Sequence, residues 1–259
     1  CGLQETLRDT FQIPSCARIA LGNGSDELIQ MISLLVAKPD AAVLALEPSF
    51  VMYKHNAALF GLNYVGVPLN EDFTLNLPST LAAIEQHQPA LIFVSYPNNP
   101  TGIAFERKQV EAIIEAAPGV VVIDEAYGSF SRDSFLPLAG SMEKLVVMRT
   151  LSKIGFAGLR IGYAAGHASV IDELAKILPP YNMNQLSLAT AHFALQHYDW
   201  VLEHVDILKR QRVRMQQALA KFDGVEVFDS EANFITVRVP DADALFAALK
   251  EQGILIKKL

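Results

Sequence analysis

Four short polar segments of this sequence carry side chains of the kinds that bind charged ligands, and each follows an apolar run typical of a β-strand. They span residues 22–27, 96–102, 124–127 and 150–162. In an open α/β sheet, ligands bind where the loops after the strands converge. We therefore expect the four segments to meet at one site.

The first segment, Gly-Asn-Gly-Ser-Asp-Glu, is a glycine-bearing turn that opens a helix. Backbone N–H groups and the positive end of the helix dipole make such a turn an anion site. An ordinary cap, in which Ser25, Asp26 or Glu27 satisfies the first helical turn, is the alternative. A dinucleotide site would need a third glycine, which is missing, although Glu47 lies where its acidic residue could be.

Asp124 closes a run of apolar residues, where an unpaired carboxylate would be costly. We expect it to have a cationic partner, and a protonated pyridine nitrogen would serve. A metal ligand or a helix cap is the alternative. The six histidines show no ligand spacing relative to Asp124, so no metal site is predicted.

Lys153 follows Thr150 and Ser152 directly after an apolar run, where an ammonium group would lose its hydration. A Schiff base removes much of this cost, and a lysine that acts as nucleophile or base must be neutral. By itself this segment also fits a surface lysine. The neighbouring polar segments favour the reactive lysine.

Apolar, β-branched runs alternate with helical periods, which predicts an α/β fold with a largely parallel sheet covered on both faces. The predicted strands are 18–21, 42–46, 64–67, 90–95, 120–124 and 145–150, and the predicted helices between them are 25–37, 49–60, 79–86 and 106–116.

Longer helices mark the second part of the chain, which predicts a large domain over 1–168 and a helical connection with a smaller α+β domain over 169–259. The predicted helices are 170–178, 185–196, 200–222 and 242–252, and the predicted strands are 225–228, 234–239 and 254–256. Because no Gly/Ser linker separates the parts, we expect a helix to run between them.

Composition is that of a globular protein: 51% of the 259 residues are hydrophobic and 19% are charged. The net charge of −7 and the absence of a Lys/Arg cluster argue against a nucleic-acid partner. Apolar runs are too short to cross a membrane. Two cysteines, Cys1 and Cys16, cannot form a disulfide framework, and we expect a cytoplasmic protein.

Together the segments resemble the aspartate aminotransferase superfamily of pyridoxal-phosphate enzymes, in order and over nearly the whole chain. Residues 99–102, 124–127, 152–153 and 158–162 carry the resemblance, and the turn 22–27 is typical of the group that acts on histidinol phosphate. The resemblance implies a large domain with a mainly parallel seven-stranded sheet, of the aspartate-aminotransferase type, and a smaller α+β domain.

The resemblance also implies that pyridoxal 5'-phosphate is the cofactor and that Lys153, Asp124 and Tyr127 are catalytic. Lys153 would hold the cofactor as a Schiff base, Asp124 would pair with its ring nitrogen, and Asn99 with Tyr127 would bind its phenolic oxygen. The implied phosphate ligands are the backbone N–H groups of Ser25, Asp26 and Glu27, the hydroxyls of Thr150 and Ser152, and Arg160.

Two further assignments follow from the resemblance, each with an alternative. Phe50 would stack on the cofactor ring, although Tyr53 competes for this role and Phe50 also fits a core position. Substrate contacts would come from loop 181–184 and segment 231–234, which also fit a structural turn and a strand start. The candidate substrate residues are Tyr181, Asn182, Asn184 and Asn233.

The implied reaction is transamination between a small amino donor, histidinol phosphate in the first hypothesis, and 2-oxoglutarate, in a homodimer with shared active sites. Another donor such as an aromatic amino acid, or decarboxylation or β-elimination on the same fold, is the alternative. A non-catalytic domain that binds the cofactor is a third hypothesis. The retained Lys153 and Asp124 argue against it.

The chain departs from the superfamily pattern at three places. Arg160 lies seven residues after Lys153, whereas many relatives have one more residue between them, so we expect a different loop there. Relatives also begin earlier, with a segment that contributes a tyrosine to the partner's site, and continue into a strand that carries a substrate-binding arginine. We therefore expect this chain to be a fragment.

Overall fold

A seven-stranded sheet forms the centre of the computed structural model, which describes residues 2–259. Its order is β1-β7-β6-β5-β4-β2-β3; β7 is antiparallel to both neighbours and the other pairs are parallel. This confirms the predicted fold class. The strands are β1 (Arg18–Asn23), β2 (Ala42–Glu47), β3 (Asn63–Pro68), β4 (Leu91–Ser95), β5 (Val120–Asp124), β6 (Leu145–Thr150) and β7 (Ile161–Gly166).

Helices cover both faces of this sheet, which explains why its strands are continuous apolar runs. Neighbouring residues of one strand, such as Ile92 and Phe93 of β4, enter two separate apolar cores. The first core contains side chains of α1 (Gly2–Phe11), α4 (Leu77–His87), α5 (Arg107–Ala116) and α7 (Gln185–Gln196). The second contains side chains of α2 (Ser25–Leu35), α3 (Met52–Leu59) and α6 (Ala168–Ile177).

A smaller α+β unit follows the large sheet. It contains α8 (Tyr198–Leu219), an antiparallel pair of β8 (Glu226–Val227) with β9 (Val237–Arg238), and α9 (Ala242–Glu251). The predicted domain boundary at residue 169 stays a prediction, since α6 and α7 lie beyond it and still pack on the seven-stranded sheet.

The predicted strand 254–256 is wrong. No regular structure follows α9 in the described chain, and Leu255 is 77% exposed. Apolar, β-branched residues make a strand only where another strand satisfies their backbone groups. Here no neighbouring strand pairs with this segment among residues 2–259.

The small unit is attached to the loop that follows β4. The Glu231 N–H donates to the Gly102 carbonyl at 2.8 Å, and the Thr236 hydroxyl donates to the Pro100 carbonyl at 2.6 Å. The Glu231 carboxylate also accepts the Arg132 backbone N–H at 2.7 Å. These contacts place segment 230–236 beside the predicted site.

Several predicted absences concern the whole chain. Within residues 2–259 no helix has both the length and the apolar character needed to cross a membrane. The same residues contain no cluster of His, Cys, Asp or Glu arranged to hold a metal ion. Cys16 is free and exposed, and Cys1 lies outside the described residues.

A buried ion pair ties the end of β5 to β6. Glu125 is 1% exposed and accepts two hydrogen bonds from Arg149, at 2.7 and 2.9 Å, and one from the Ser134 hydroxyl at 2.8 Å. We expect Glu125→Gln to lower the free energy of unfolding by about 3–5 kcal/mol, because it leaves the Arg149 charge buried without a counter-ion. Urea unfolding of the ligand-free protein measures this.

Glu111→Gln is the matched control for that experiment. The Arg107–Glu111 pair is partly exposed, with 2.8 Å between Arg107 Nε and Glu111 Oε1. Such pairs contribute less than about 1 kcal/mol to the free energy of unfolding. Equal losses in the two variants would contradict the stabilising role of the buried pair.

Candidate active site

A cleft opens at the carboxyl ends of β4, β5 and β6, beside the start of α2. It contains about 540 Å³ of space free of protein atoms, counting the part open to solvent. Every predicted cofactor-binding residue except Glu27 lines it. The lining residues are Ser25, Asp26, Phe50, Ser95, Asn99, Asp124, Ala126, Tyr127, Thr150, Ser152, Lys153 and Arg160.

Strand register explains why residues distant in sequence meet here. β4 and β5 are parallel neighbours that pair Ser95 with Asp124, and β5 pairs in parallel with β6, which ends at Thr150. Side chains that close three adjacent parallel strands therefore reach the same edge of the sheet.

Asp124 lines the cleft and is 3% exposed. Its Oδ2 accepts the Tyr53 hydroxyl at 2.8 Å, and its Oδ1 accepts the Ala126 N–H at 3.0 Å. Burial raises the pKa of Asp124 to about 6, while these two hydrogen bonds oppose the rise. At neutral pH the carboxylate is ionised, and no cation pairs with it among residues 2–259.

Phe50 and Tyr53 occupy different layers. Tyr53 is fully buried and stacks on Phe93 with ring centres 4.4 Å apart and planes 2° apart. Phe50 contacts the Tyr53 ring edge to face at 5.8 Å and lines the cleft itself. The geometry therefore favours Phe50 over Tyr53 as the aromatic that faces a bound ring.

The Tyr53 contact with Asp124 was not predicted from the sequence. A tyrosine on the buried side of a helix needs a hydrogen-bond acceptor, which is the one signal that was present. Which acceptor it finds depends on how α3 packs over β5.

The part of the cleft beside the start of α2 is suited to an anion. Gly24 precedes α2 with φ 79° and ψ 170°, and no side chain caps the first turn of this helix. Arg160 lies against the turn, where its Nη2 donates to the Asn23 carbonyl at 3.3 Å and pairs with Asp26 at 3.2 Å. A helix start and a guanidinium group together match the needs of a phosphate.

Lys153 also lines the cleft and is half-buried. Its Nζ is 5.3 Å from the centre of the Tyr127 ring, and no carboxylate of the described chain pairs with it. Close by, the Thr150 hydroxyl donates to the Ser152 hydroxyl at 2.9 Å and accepts the Ser152 N–H at 3.1 Å. An amine at this position has room to react.

Tyr127 is 7% exposed, and the small unit packs on it through Phe234, with ring centres 5.0 Å apart at 84°. Burial, with a smaller contribution from the Asp124 charge, raises the pKa of Tyr127 to about 12. The phenol therefore stays protonated at neutral pH and can donate a hydrogen bond into the cleft.

The side chain of Glu27, whose backbone N–H is a predicted phosphate ligand, hydrogen-bonds neighbouring residues of the protein. Its carboxylate accepts the Asn23 N–H at 2.8 Å and the Asn182 side-chain amide at 2.9 Å. The Asn182 carbonyl in turn accepts the Asn23 amide at 2.7 Å. This network anchors loop 181–184 to turn 22–27.

The four candidate substrate residues do not line the cleft. Asn182 belongs to the anchoring network, and Asn184 caps α7 by accepting the Leu186 N–H at 2.9 Å. Tyr181 is 97% exposed, and Asn233 is also exposed. Their substrate role stays a prediction.

This site is that of a pyridoxal-phosphate-dependent enzyme. The cationic ring of this cofactor can pair with the buried Asp124 carboxylate, and its phosphate can bind to Arg160 and the start of α2. Residues 3–258 match the family of class I and II aminotransferases. The chain belongs to this family, which confirms the predicted resemblance.

Relatives and solved structures agree with this assignment. The chain is 66% identical over 258 residues to a histidinol-phosphate aminotransferase of Neisseria meningitidis serogroup C, covering 100% of this chain and 71% of the relative. It is 58% identical to the enzyme of that name from Chromobacterium violaceum, covering 100% and 72%. A histidinol-phosphate aminotransferase from Sinorhizobium meliloti, solved in complex with pyridoxal-5'-phosphate, superposes with a TM-score of 0.88 at 28% identity, covering 99% and 72%.

Gly24 allows Arg160 to approach the start of α2. A Cβ at this position would lie 2.6 Å from the Arg160 Nη2, and the backbone angles belong to a region open almost only to glycine. We expect Gly24→Ala to weaken cofactor binding at least about tenfold, since it displaces a charge-assisted ligand of the phosphate. Absorbance titration of the cofactor-free protein measures the affinity.

Gly61→Ala is the control for backbone strain. Gly61 also has a positive φ, +67°, but a Cβ there meets open space. Gly61→Ala should lose roughly 1–2 kcal/mol of stability from its positive φ and keep its cofactor affinity, whereas Gly24→Ala should lose both stability and affinity. Equal affinities would show that Arg160 does not depend on this close approach.

Proposed function

We propose that this chain transfers the amino group of L-histidinol phosphate to 2-oxoglutarate, producing imidazole acetol phosphate and L-glutamate in histidine biosynthesis. The observation that carries the proposal is the cleft in which Asp124, Lys153 and the start of α2 converge. Identity of 66% to a histidinol-phosphate aminotransferase supports this amino donor. Aminotransfer itself follows from membership of the family.

Each part of the cofactor has residues of this chain to hold it. Asp124 would keep a proton on the ring nitrogen, Phe50 would cover one face of the ring, and Asn99 with the Tyr127 hydroxyl would bind the phenolic oxygen. The phosphate would be bound by the N–H groups of Ser25, Asp26 and Glu27, the hydroxyls of Thr150 and Ser152, and Arg160. When bound, pyridoxal phosphate supplies an aldehyde that bonds to amines and a ring that withdraws electrons.

Lys153 would perform the proton transfers of the reaction. Its Nζ would be the group that holds the cofactor covalently between turnovers. The same Nζ would act as the general base that takes the proton from the donor Cα.

We also propose that the enzyme is a cytoplasmic homodimer whose active sites are shared between subunits. The superfamily resemblance supports the dimer, and the low cysteine content supports the compartment. Sedimentation of the purified full-length protein tests the dimer, and a fully active monomer would contradict shared sites.

A panel of amino donors tests the reaction. Histidinol phosphate, an aromatic amino acid and threonine phosphate are each incubated with 2-oxoglutarate, and glutamate, carbon dioxide and pyruvate are measured. We expect glutamate to form fastest with histidinol phosphate. Carbon dioxide or pyruvate without glutamate would contradict transamination. Faster glutamate formation from the aromatic amino acid would contradict histidinol phosphate as the preferred amino donor.

A further inference from the structure

One buried side chain contacts two of the residues that would surround the cofactor ring. The Tyr53 hydroxyl donates a hydrogen bond to Asp124 Oδ2 at 2.8 Å. Its ring packs edge to face against Phe50, with the ring centres 5.8 Å apart. We propose that Tyr53 is a positioning residue, which holds the Asp124 carboxylate ionised and correctly oriented for the cofactor's ring nitrogen. This inference rests on the proposed function and deepens it.

The position of Tyr53 is well defined by packing. Its ring lies nearly parallel to that of Phe93 on β4, 4.4 Å away, and its side chain has no solvent exposure. A hydroxyl held in this way has few other orientations available. The Tyr53 hydroxyl therefore restrains the direction of the carboxylate as well as donating to it.

Tyr53 also favours the charged form of Asp124. Burial opposes ionisation, whereas the hydroxyl and the Ala126 N–H both donate to the anion and lower its pKa. Three other charged or titratable groups lie near Asp124. The charge of Asp26 on α2 opposes its ionisation, and the charge of Lys153 after β6 favours it. The third group is Tyr127, which follows β5. The direct hydrogen bonds to the carboxylate come instead from Tyr53 and Ala126.

Loss of the hydroxyl should therefore change how cofactor affinity depends on pH. A protonated cofactor nitrogen pairs only with the carboxylate, so affinity falls as pH decreases through the pKa of Asp124 in the cofactor-free protein, about 6. In Tyr53→Phe this pKa rises further, and the fall in affinity should begin about one to two pH units higher. Near pH 6 the dissociation constant should increase about fivefold to fiftyfold, in proportion to the loss of the ionised carboxylate.

Tyr64→Phe is the matched control. The Tyr64 hydroxyl also donates to a carboxylate, Glu47 Oε1, at 2.8 Å, but neither of these residues lines the cleft or hydrogen-bonds Asp124. Both variants lose one phenolic hydrogen bond and keep the ring. We expect only Tyr53→Phe to change the pH profile of cofactor affinity.

Two measurements on the full-length protein test the proposal. Carbon NMR of cofactor-free protein labelled at aspartate carboxyls follows the Asp124 titration, with the signal assigned from Asp124→Asn. Absorbance titration with pyridoxal phosphate at a series of pH values gives the affinity profile. The proposal is overturned if Asp124 titrates alike in wild type and Tyr53→Phe and the two affinity profiles coincide.

A double-mutant cycle separates positioning from general packing. If Tyr53 acts through the carboxylate, Tyr53→Phe in an Asp124→Asn background should cause no further loss of affinity. An equal loss in both backgrounds would mean that Tyr53 acts only through packing, and would overturn the proposal. Failure of the wild type to bind pyridoxal phosphate would instead contradict the proposed function, while the NMR titration would still report on the Tyr53 contact.

Discussion

Lys153→Ala should reduce aminotransferase turnover at least about a thousandfold, because the variant loses both the covalent attachment of the cofactor and the base that moves the donor Cα proton. The visible absorbance band that arises from the bond between Nζ and the cofactor should also disappear. Cofactor should still bind without that bond, since Asp124 and the start of α2 line the cleft and remain in the variant.

The measurements for this variant are steady-state glutamate formation and the absorbance spectrum of the purified protein. Lys176→Ala is the control, because Lys176 is an exposed lysine of α6 that pairs with Glu173 far from the cleft lining. It should keep both the spectrum and the turnover. An unchanged spectrum together with full turnover in Lys153→Ala would remove Lys153 from the mechanism.

Asp124→Asn should reduce turnover at least about a hundredfold, since an amide cannot keep a proton on the ring nitrogen and the electrostatic stabilisation that depends on it is lost. The same variant should keep or increase the stability of the cofactor-free protein. A buried carboxylate without a cationic partner costs free energy at neutral pH, and the amide removes this cost.

The pH dependence of stability checks the second part of this prediction. The folded-state pKa of Asp124, about 6, lies above its ordinary value of 3.8. Protonated Asp124 therefore stabilises the folded state, and this contribution is fully present below the unfolded pKa. It is lost as pH rises through the folded pKa, and the whole loss is on the order of 2–3 kcal/mol. Asp124→Asn should lack this loss between about pH 4 and 6 in urea unfolding of cofactor-free protein.

Two outcomes would contradict the assignment of Asp124. Turnover close to that of the wild type would show that the carboxylate does not pair with the cofactor. A large loss of stability in Asp124→Asn would show that the carboxylate is held for folding, and the loss of activity would then have a structural cause.

Much of the candidate site could be predicted because its residues follow strands. Asp124 and Lys153 each come just after an apolar run, and parallel strands bring their carboxyl ends to one edge. Turn 22–27 was predictable as an anion site from its glycines and the helix that follows. The resemblance indicated Phe50, but the residues alone left Tyr53 as a competitor, because the two aromatics lie three positions apart and only packing separates their layers.

The substrate side could not be predicted to the same extent. Asn182 and Asn184 are polar residues in a loop, and such residues serve backbone caps and turns as readily as ligands. In the structure Asn184 caps α7 and Asn182 anchors its loop to Glu27. Their side chains are thus already satisfied within the described chain.

The sequence by itself determined the fold class and the chemical groups of the cleft. Strands buried on both faces must be apolar throughout, and a charged residue at their ends must have a function or a partner, so these features are visible without coordinates. Only the tertiary structure decided which elements pair. β7, rich in glycine and alanine, became an inner strand because β1 and β6 flank it, whereas residues 254–256 formed no strand because none adjoins them. The Tyr53 hydrogen bond to Asp124 likewise depends on contacts between residues 71 positions apart, which local pattern does not encode.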